Sequence, residues 1–349
     1  MTERARLVGD GIENPANARA LMDAAAMFAI PAAFRDTHSL AESWSTELGG
    51  GSLPVVQGTE LLNELLPIVA IENAPGSRSV YDANLPQGCP SIVVGNERRG
   101  IRGDVLRAAS ACVDIPMPGR AINTLNVASA AAVALYYLLA SERRPTRHAP
   151  RPEQRRPGLL LVAPADHVEA GSVLRSAAAF GWRAVGLDDS ERVWFGVPRA
   201  ARTEGRAAAR SHRNAIRVLP MRADGPLGFA RVVVAGAEVD GPVLHRVDLA
   251  AGRNTLLVLP DEEHKRAVDW RSLAPKVEFA RVALPAEDFP YRYRLVASIV
   301  LAEAARQVGR AAAAEPIRRP RRGLTYESAL TVAATDEADV VLPDELMVF

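Results

Sequence analysis

Residues Ser91 to Leu139 read SIVVGNERRGIRGDVLRAASACVDIPMPGRAINTLNVASAAAVALYYLL, and this stretch decides the fold. Ser91 to Val94 is a short apolar run, the pattern of a strand covered on both faces of a parallel sheet. It stops at Gly95-Asn96-Glu97, a turn that carries a carboxylate. A helical pattern spans Asp104 to Ala111. Val113 to Ile115 is a second short apolar segment, ended by Pro116. A loop holding Met117, Pro118 and Gly119 leads to Asn123-Thr124-Leu125-Asn126, and an alanine-rich helix follows. Two strand ends therefore deliver two polar loops to one edge of a sheet, the edge at which open α/β sheets bind ligands. The last helix is apolar nearly all round and is expected to be buried.

Toward the N-terminus, Ala5 to Gly9 reads as a strand, Asn14-Pro15-Ala16-Asn17 breaks it, and a helical pattern runs from Arg19 to Phe28. Arg35 to Gln57 reads as loop and short helix. Its Gly49-Gly50-Gly51 run is a flexible turn, since it lacks the Lys-Ser/Thr of a phosphate-binding loop. Pro67 to Glu72 is a further strand. Toward the C-terminus, Ser141 to Pro157 holds four prolines among repeated arginines, a stiff, solvated connector. The pattern then restarts. Leu159 to Val162 is a strand, Gly171 to Gly181 a helix, and Thr255 to Leu259 a strand followed by Pro260-Asp261-Glu262. Val282 to Pro285 repeats the pattern of Val113 to Pro116, and Tyr291 to Gln307 repeats the last helix. Arg318-Arg319-Pro320-Arg321-Arg322 precedes an acidic, apolar tail. The expected organisation is a first α/β domain over 1–140, a basic linker over 141–157, a diverged second domain over 158–310, and a basic segment with a tail over 311–349.

Length and composition set the outer limits. The chain has 349 residues, a length that points to two domains, with 48% hydrophobic and 24% charged residues. The net charge of +1 provides no global attraction to nucleic acid, so an RNA footprint has to be a local patch. The two cysteines, Cys89 and Cys112, support neither a disulfide framework nor a thiolate zinc site. No histidine cluster has metal-ligand spacing. No apolar run reaches bilayer length and no signal-peptide pattern opens the chain, so the expected setting is cytoplasmic.

The central stretch resembles two motifs of the SPOUT superfamily, in its SpoU/TrmH branch of RNA ribose methyltransferases. The first match is the strand with Gly95-Asn96-Glu97 and Gly100. The second is Ile115-Pro116-Met117, Gly119 and Thr124-Leu125-Asn126-Val127, with threonine where the family usually has serine. A third motif is matched by Asn14, Pro15 and Asn17, but the arginine expected six residues on is Asp23. Around Gly171 to Gly181 that arginine is present, as Arg175, while Glu169 fills the asparagine position. Val296 is expected where the first half has Asn126. The resemblance implies two tandem SPOUT-like parallel-sheet domains, the first at least tied in a trefoil knot, paired as an internal pseudo-dimer. Whether such chains pair further stays open.

The resemblance also implies S-adenosylmethionine as cofactor and RNA, rRNA or tRNA, as partner. Gly95, Ile115, Met117 and Leu125 are the cofactor residues by motif position, Gly95 allowing close backbone approach to the ligand. Pro260 at the matching place removes a donor and adds bulk, so no cofactor is expected in the second half. Arg175, Glu97, Asn126 and Thr124 are the catalytic candidates, with Asn17 and Arg120 on the substrate. Arginine is a very poor base, so Arg175 is assigned to a substrate phosphate and the developing alkoxide. Structural roles stand beside these: Glu97 as a turn carboxylate capping the next helix, Asn126 as a helix N-cap, Arg175 as a surface arginine. Two other functions remain open, methylation of a small molecule or nucleoside, and RNA or cofactor binding without catalysis.

Overall fold

The first strand ends at Asp10, and Asn14, four residues on, caps the first helix. The computed structural model describes residues 5–36, 55–56, 64–118, 125–139, 156–196, 198, 205, 216–250, 254–262, 266–286 and 291–309. The Gly49–Gly51 turn, Arg120, Thr124, nearly all of the basic linker and the C-terminal tail lie outside these residues. The chain forms two compact units. One comprises Met1–Pro116, Asn126–Arg144 and Leu284–Pro290, the other Met117–Leu125, Pro145–Ala283 and Tyr291–Phe349.

The first unit runs β1 (Arg6–Asp10), α1 (Pro15–Met27), β2 (Ala32–Arg35), β3 (Val55–Val56), β4 (Ile68–Ile71), β5 (Arg78–Ser79), β6 (Ser91–Gly95), α2 (Gly103–Ala108), β7 (Ala111–Asp114) and α3 (Val127–Leu139). Its strands lie in the order β3-β2-β1-β6-β4-β7-β5, every pairing parallel. Ile68–Ile71 is buried throughout and Ser91–Val94 likewise, as two-sided burial of a parallel sheet requires. Helix α1 packs on α3. It begins four residues before the expected Arg19 because the Asn14 side chain accepts from the Ala16 amide at 2.8 Å and Pro15 occupies the first turn. Helix α3 buries most of its length, as its composition demands.

Helix α2 is a correction. Expected to reach Ala111, it stops at Ala108, where Ala109 turns extended, and β7 starts at Ala111 instead of Val113. Pairing of Ala111 with Val69 on β4 outweighs even the strong helical preference of the alanines.

The second unit runs β8 (Gly158–Val162), α4 (His167–Ala179), β9 (Ala184–Asp188), β10 (Arg217–Pro220), β11 (Arg231–Gly236), β12 (Thr255–Pro260), β13 (Lys276–Arg281) and α5 (Tyr293–Val308). The sheet order is β10-β9-β8-β12-β11-β13, again all parallel. With the two-residue β5 set aside, the two sheets share one order by rank: third, second, first, fifth, fourth, sixth. Helix α4 packs on α5 as α1 does on α3, with the Ser176 and Ser298 hydroxyls hydrogen-bonded at 2.9 Å. It starts before the expected Gly171 because Asp166 caps it, accepting from the amides of Val168 at 2.6 Å and Glu169 at 2.8 Å.

Candidate active site

In the first unit, the end of β6 meets the start of α1. Asn96 is buried, and its side-chain amide donates to the Gly11 carbonyl at 2.9 Å. Its side-chain oxygen accepts from the amides of Arg98 at 2.9 Å and Arg99 at 3.2 Å. The main chains of Asn96 and Gly100 exchange hydrogen bonds of 3.1 and 2.8 Å, closing the loop on itself. Glu97 is therefore held at an exposed tip. Its carboxylate accepts from Nδ2 of Asn17 on the first turn of α1. Oδ1 of Asn17 in turn accepts from Nδ2 of Asn126 at 3.0 Å, and Oδ1 of Asn126 caps α3 through the Ala128 amide at 2.9 Å.

Three residues singled out from separate stretches, Glu97, Asn17 and Asn126, thus form one continuous chain of donors and acceptors. Asn126 is the helix cap anticipated as its structural role, and its free amide reaches further. Glu97 does not cap α2: the N-cap residue there is Arg102, which makes no side-chain cap bond.

The loop is braced from below. Glu72 Oε2 accepts from the Ile101 amide at 3.1 Å, and Asp10 Oδ2 from the Arg102 amide at 2.9 Å. Asp10 is fully buried beside Arg35, at 3.4 Å, and Arg35 reaches on to Asp104 at 2.6 Å. Burial pushes the Asp10 carboxyl up, against the pull of the Arg102 amide and Arg35. The Arg35 hydrogen bond holds Asp104 down at about 2. The sequence gives no sign of this trio, which spans a strand, the end of another strand and a short helix.

The returning loop by itself requires glycine at position 95. A Cβ there would lie 2.2 Å from the Gly100 carbonyl carbon and 2.3 Å from the Ile101 nitrogen. The close neighbour is the returning loop of the chain itself. Ile115, just past β7, and Leu125, just before α3, are buried, and Met117 is half-buried.

In the second unit, Arg175 stands nine residues after its helix cap, the place Asp23 holds in α1. Its Nη2 donates to the Leu125 carbonyl at 3.1 Å, joining two residues read as functional from the sequence. Pro260 pairs with Val162, the last residue of β8, as Gly95 pairs with Asp10, the last residue of β1. In place of asparagine, Glu169 meets Arg294 Nε at 3.3 Å and accepts from the Arg294 amide at 2.9 Å. Burial raises the Glu169 carboxyl, and Arg294 opposes the rise. The expected equivalence of Val296 with Asn126 is corrected. Arg292 holds the N-cap of α5, and Val296 lies inside the helix, buried. Matching apolar runs without the cap displaces the register by a turn.

Among the described residues, no group of three or more His, Cys, Asp or Glu is placed to hold a metal ion, and no helix is long and apolar enough to cross a membrane.

The model of the SpoU rRNA Methylase family matches residues 4–136. That stretch is similar to the SpoU rRNA Methylase family over a little more than a third of the chain. The matched region takes in β1 through most of α3, with the Glu97–Asn17–Asn126 chain inside it. Similar solved structures include one described for 2-OH methylation of C/U34 on tRNA, 26% identical, covering 38% of this chain and 91% of that one at a TM-score of 0.31. An RNA 2'-O ribose methyltransferase is 31% identical, with 40% and 57% covered and a TM-score of 0.33. The SpoU methyltransferase AviRb from Streptomyces viridochromogenes, in complex with AdoMet, is 20% identical, with 39% and 60% covered and a TM-score of 0.33. The chain thus spans less than two thirds of the last two. No curated protein matches the chain.

Proposed function

We propose that the chain is an S-adenosylmethionine-dependent RNA methyltransferase acting on a ribose 2′-hydroxyl of rRNA or tRNA. The observation that carries this is the Glu97–Asn17–Asn126 chain inside a SpoU methylase region. S-adenosylmethionine, when bound, supplies an electrophilic methyl group on a sulfonium. Gly95, Ile115, Met117 and Leu125 are its assigned contacts, mostly through main chain, with Ile115 and Leu125 contributing buried apolar surface. The acceptor oxygen has to be held in line with the methyl carbon and sulfur, and alignment supplies much of the rate.

Glu97, steered by Asn17, accepts a hydrogen bond from the ribose. Asn126 fixes Asn17, and Thr124 and Arg120 complete the substrate side. Arg175 binds phosphate and stabilises the alkoxide as the proton leaves, because a guanidinium does not accept a proton near neutrality. The shared strand order supports reading the second unit as a diverged copy of the first. The trefoil threading and the pseudo-dimer pairing belong to the same proposal.

The test is transfer of labelled methyl from S-adenosylmethionine to total RNA, followed by nuclease digestion and nucleoside analysis. Label in 2′-O-methylnucleosides is the expected result. Arg175→Ala should lower turnover by about 10- to 150-fold, the worth of a hydrogen bond to a charged group, with cofactor affinity nearly unchanged. Cofactor binding without label in RNA would transfer the assignment to a small-molecule acceptor.

A further inference from the structure

The two units treat equivalent carboxylates differently. Glu97 lies two residues past the end of β6, and Glu262 lies two residues past the end of β12. Glu97 reaches out to Asn17. Glu262 turns inward to the end of the neighbouring strand β11. Its Oε2 accepts from the Ala237 amide at 2.7 Å and its Oε1 from the Glu238 amide at 2.7 Å. The carboxylate is seated so closely that a Cβ on Gly236 would lie 2.2 Å from Oε1. In the first unit the two equivalent amides, after β4, are also bonded, but by groups other than the Glu97 carboxylate. There the Glu72 amide bonds the Val113 carbonyl, and the Asn73 amide bonds Glu72's own side chain.

The position matters because of the sheet order. In the first sheet β4 lies between β6 and β7, whose ends carry the cofactor candidates Gly95 and Ile115. In the second sheet β11 lies between β12 and β13 in the same way. The geometry points to Glu262 as an internal plug: its side chain occupies the main-chain donors at the ligand edge of the second sheet, so the chain takes one cofactor, at the edge of the first sheet only. This rests on the proposed cofactor reading of the first unit. Burial raises the Glu262 carboxyl while the two amides stabilise its charged form. Pro260, with no N–H to offer, closes the same edge further.

Amide hydrogen exchange on the full chain, with and without S-adenosylmethionine, tests this. In Glu262→Ala the amides of Ala237 and Glu238 should exchange at least about tenfold faster than in the wild type. In Glu262→Gln, which keeps one good acceptor, only one of the two should accelerate, which separates loss of the plug from loss of folding. The cofactor should slow exchange around Gly95 and Ile115 and leave Ala237 and Glu238 unchanged, with one equivalent bound by calorimetry. Unchanged exchange in Glu262→Ala overturns the plug, and so does protection of Ala237 and Glu238 by the cofactor or a stoichiometry of two. Protection nowhere in the chain overturns the proposed cofactor reading instead, and the Glu262→Ala comparison still judges the plug.

Discussion

Asn126 serves two purposes with the two ends of one amide, and the ends can be separated. Its oxygen caps α3 and its nitrogen fixes Asn17. Asn126→Ala should cost about 1 kcal/mol of stability for the lost cap. Asn126→Ser keeps a capping oxygen and removes the amide, so stability should hold while turnover falls. Urea midpoints set beside methyl-transfer rates read the two effects independently, and an active serine variant would remove Asn126 from the site. Residues of this kind are legible in sequence because turn and cap chemistry is local: Asn14, Asn17 and Asn126 each sit where a chain break precedes an apolar helix. Arg35 is not legible. Its partners Asp10 and Asp104 lie 25 and 69 residues away, and nothing local marks any of the three as buried.

At the scale of elements, the β6–α2 connection combines a tight loop with an ionic brace. Gly95→Ala forces a Cβ into the backbone at Gly100 and Ile101, which cannot yield as a flexible side chain can. A loss of about 1–3 kcal/mol in urea unfolding is expected, larger if the loop detaches. Asp104 sets a pH dependence. Its folded value of about 2 lies below the ordinary 3.8, so its contribution is complete above 3.8 and is lost as the pH falls through about 2. Asp10 is raised and acts in the opposite sense, its contribution falling as the pH rises above 3.8. Unfolding midpoints between pH 2 and 4 should therefore flatten in Asp104→Asn. The strands read at Ala5–Gly9, Pro67–Glu72, Ser91–Val94, Leu159–Val162 and Thr255–Leu259 lie within a residue of β1, β4, β6, β8 and β12, because buried parallel strands are continuous apolar runs, whereas β7 starts two residues before Val113 and β13 ends before Val282. The end of α2 is not readable in this way, since its alanines favour helix and a distant strand pairing overrides them.

For the whole molecule, one cofactor site implies uneven stabilisation. At a hundredfold excess over Kd, S-adenosylmethionine should stabilise the unit that binds it by about 2.7 kcal/mol. Exchange of α1 and α3 amides should slow accordingly, with α4 and β8 unaffected. Equal protection in both units would contradict the assignment. The restart of the pattern after the basic linker shows in the sequence, because strand, turn and helix recur there in the same order. The exchange of asparagine for an ion pair at Glu169 and Arg294 does not, because only coordinates show which polar residues meet.

The first unit includes Leu284–Pro290, far downstream of Arg144. A ribosome must therefore add roughly 150 further residues before that unit has all its parts, a delay of about 7–30 s at ordinary elongation speeds. The nascent N-terminal half waits incomplete through that interval, so a chaperone that shelters emerging chains should raise the yield of active protein more than one that acts after release.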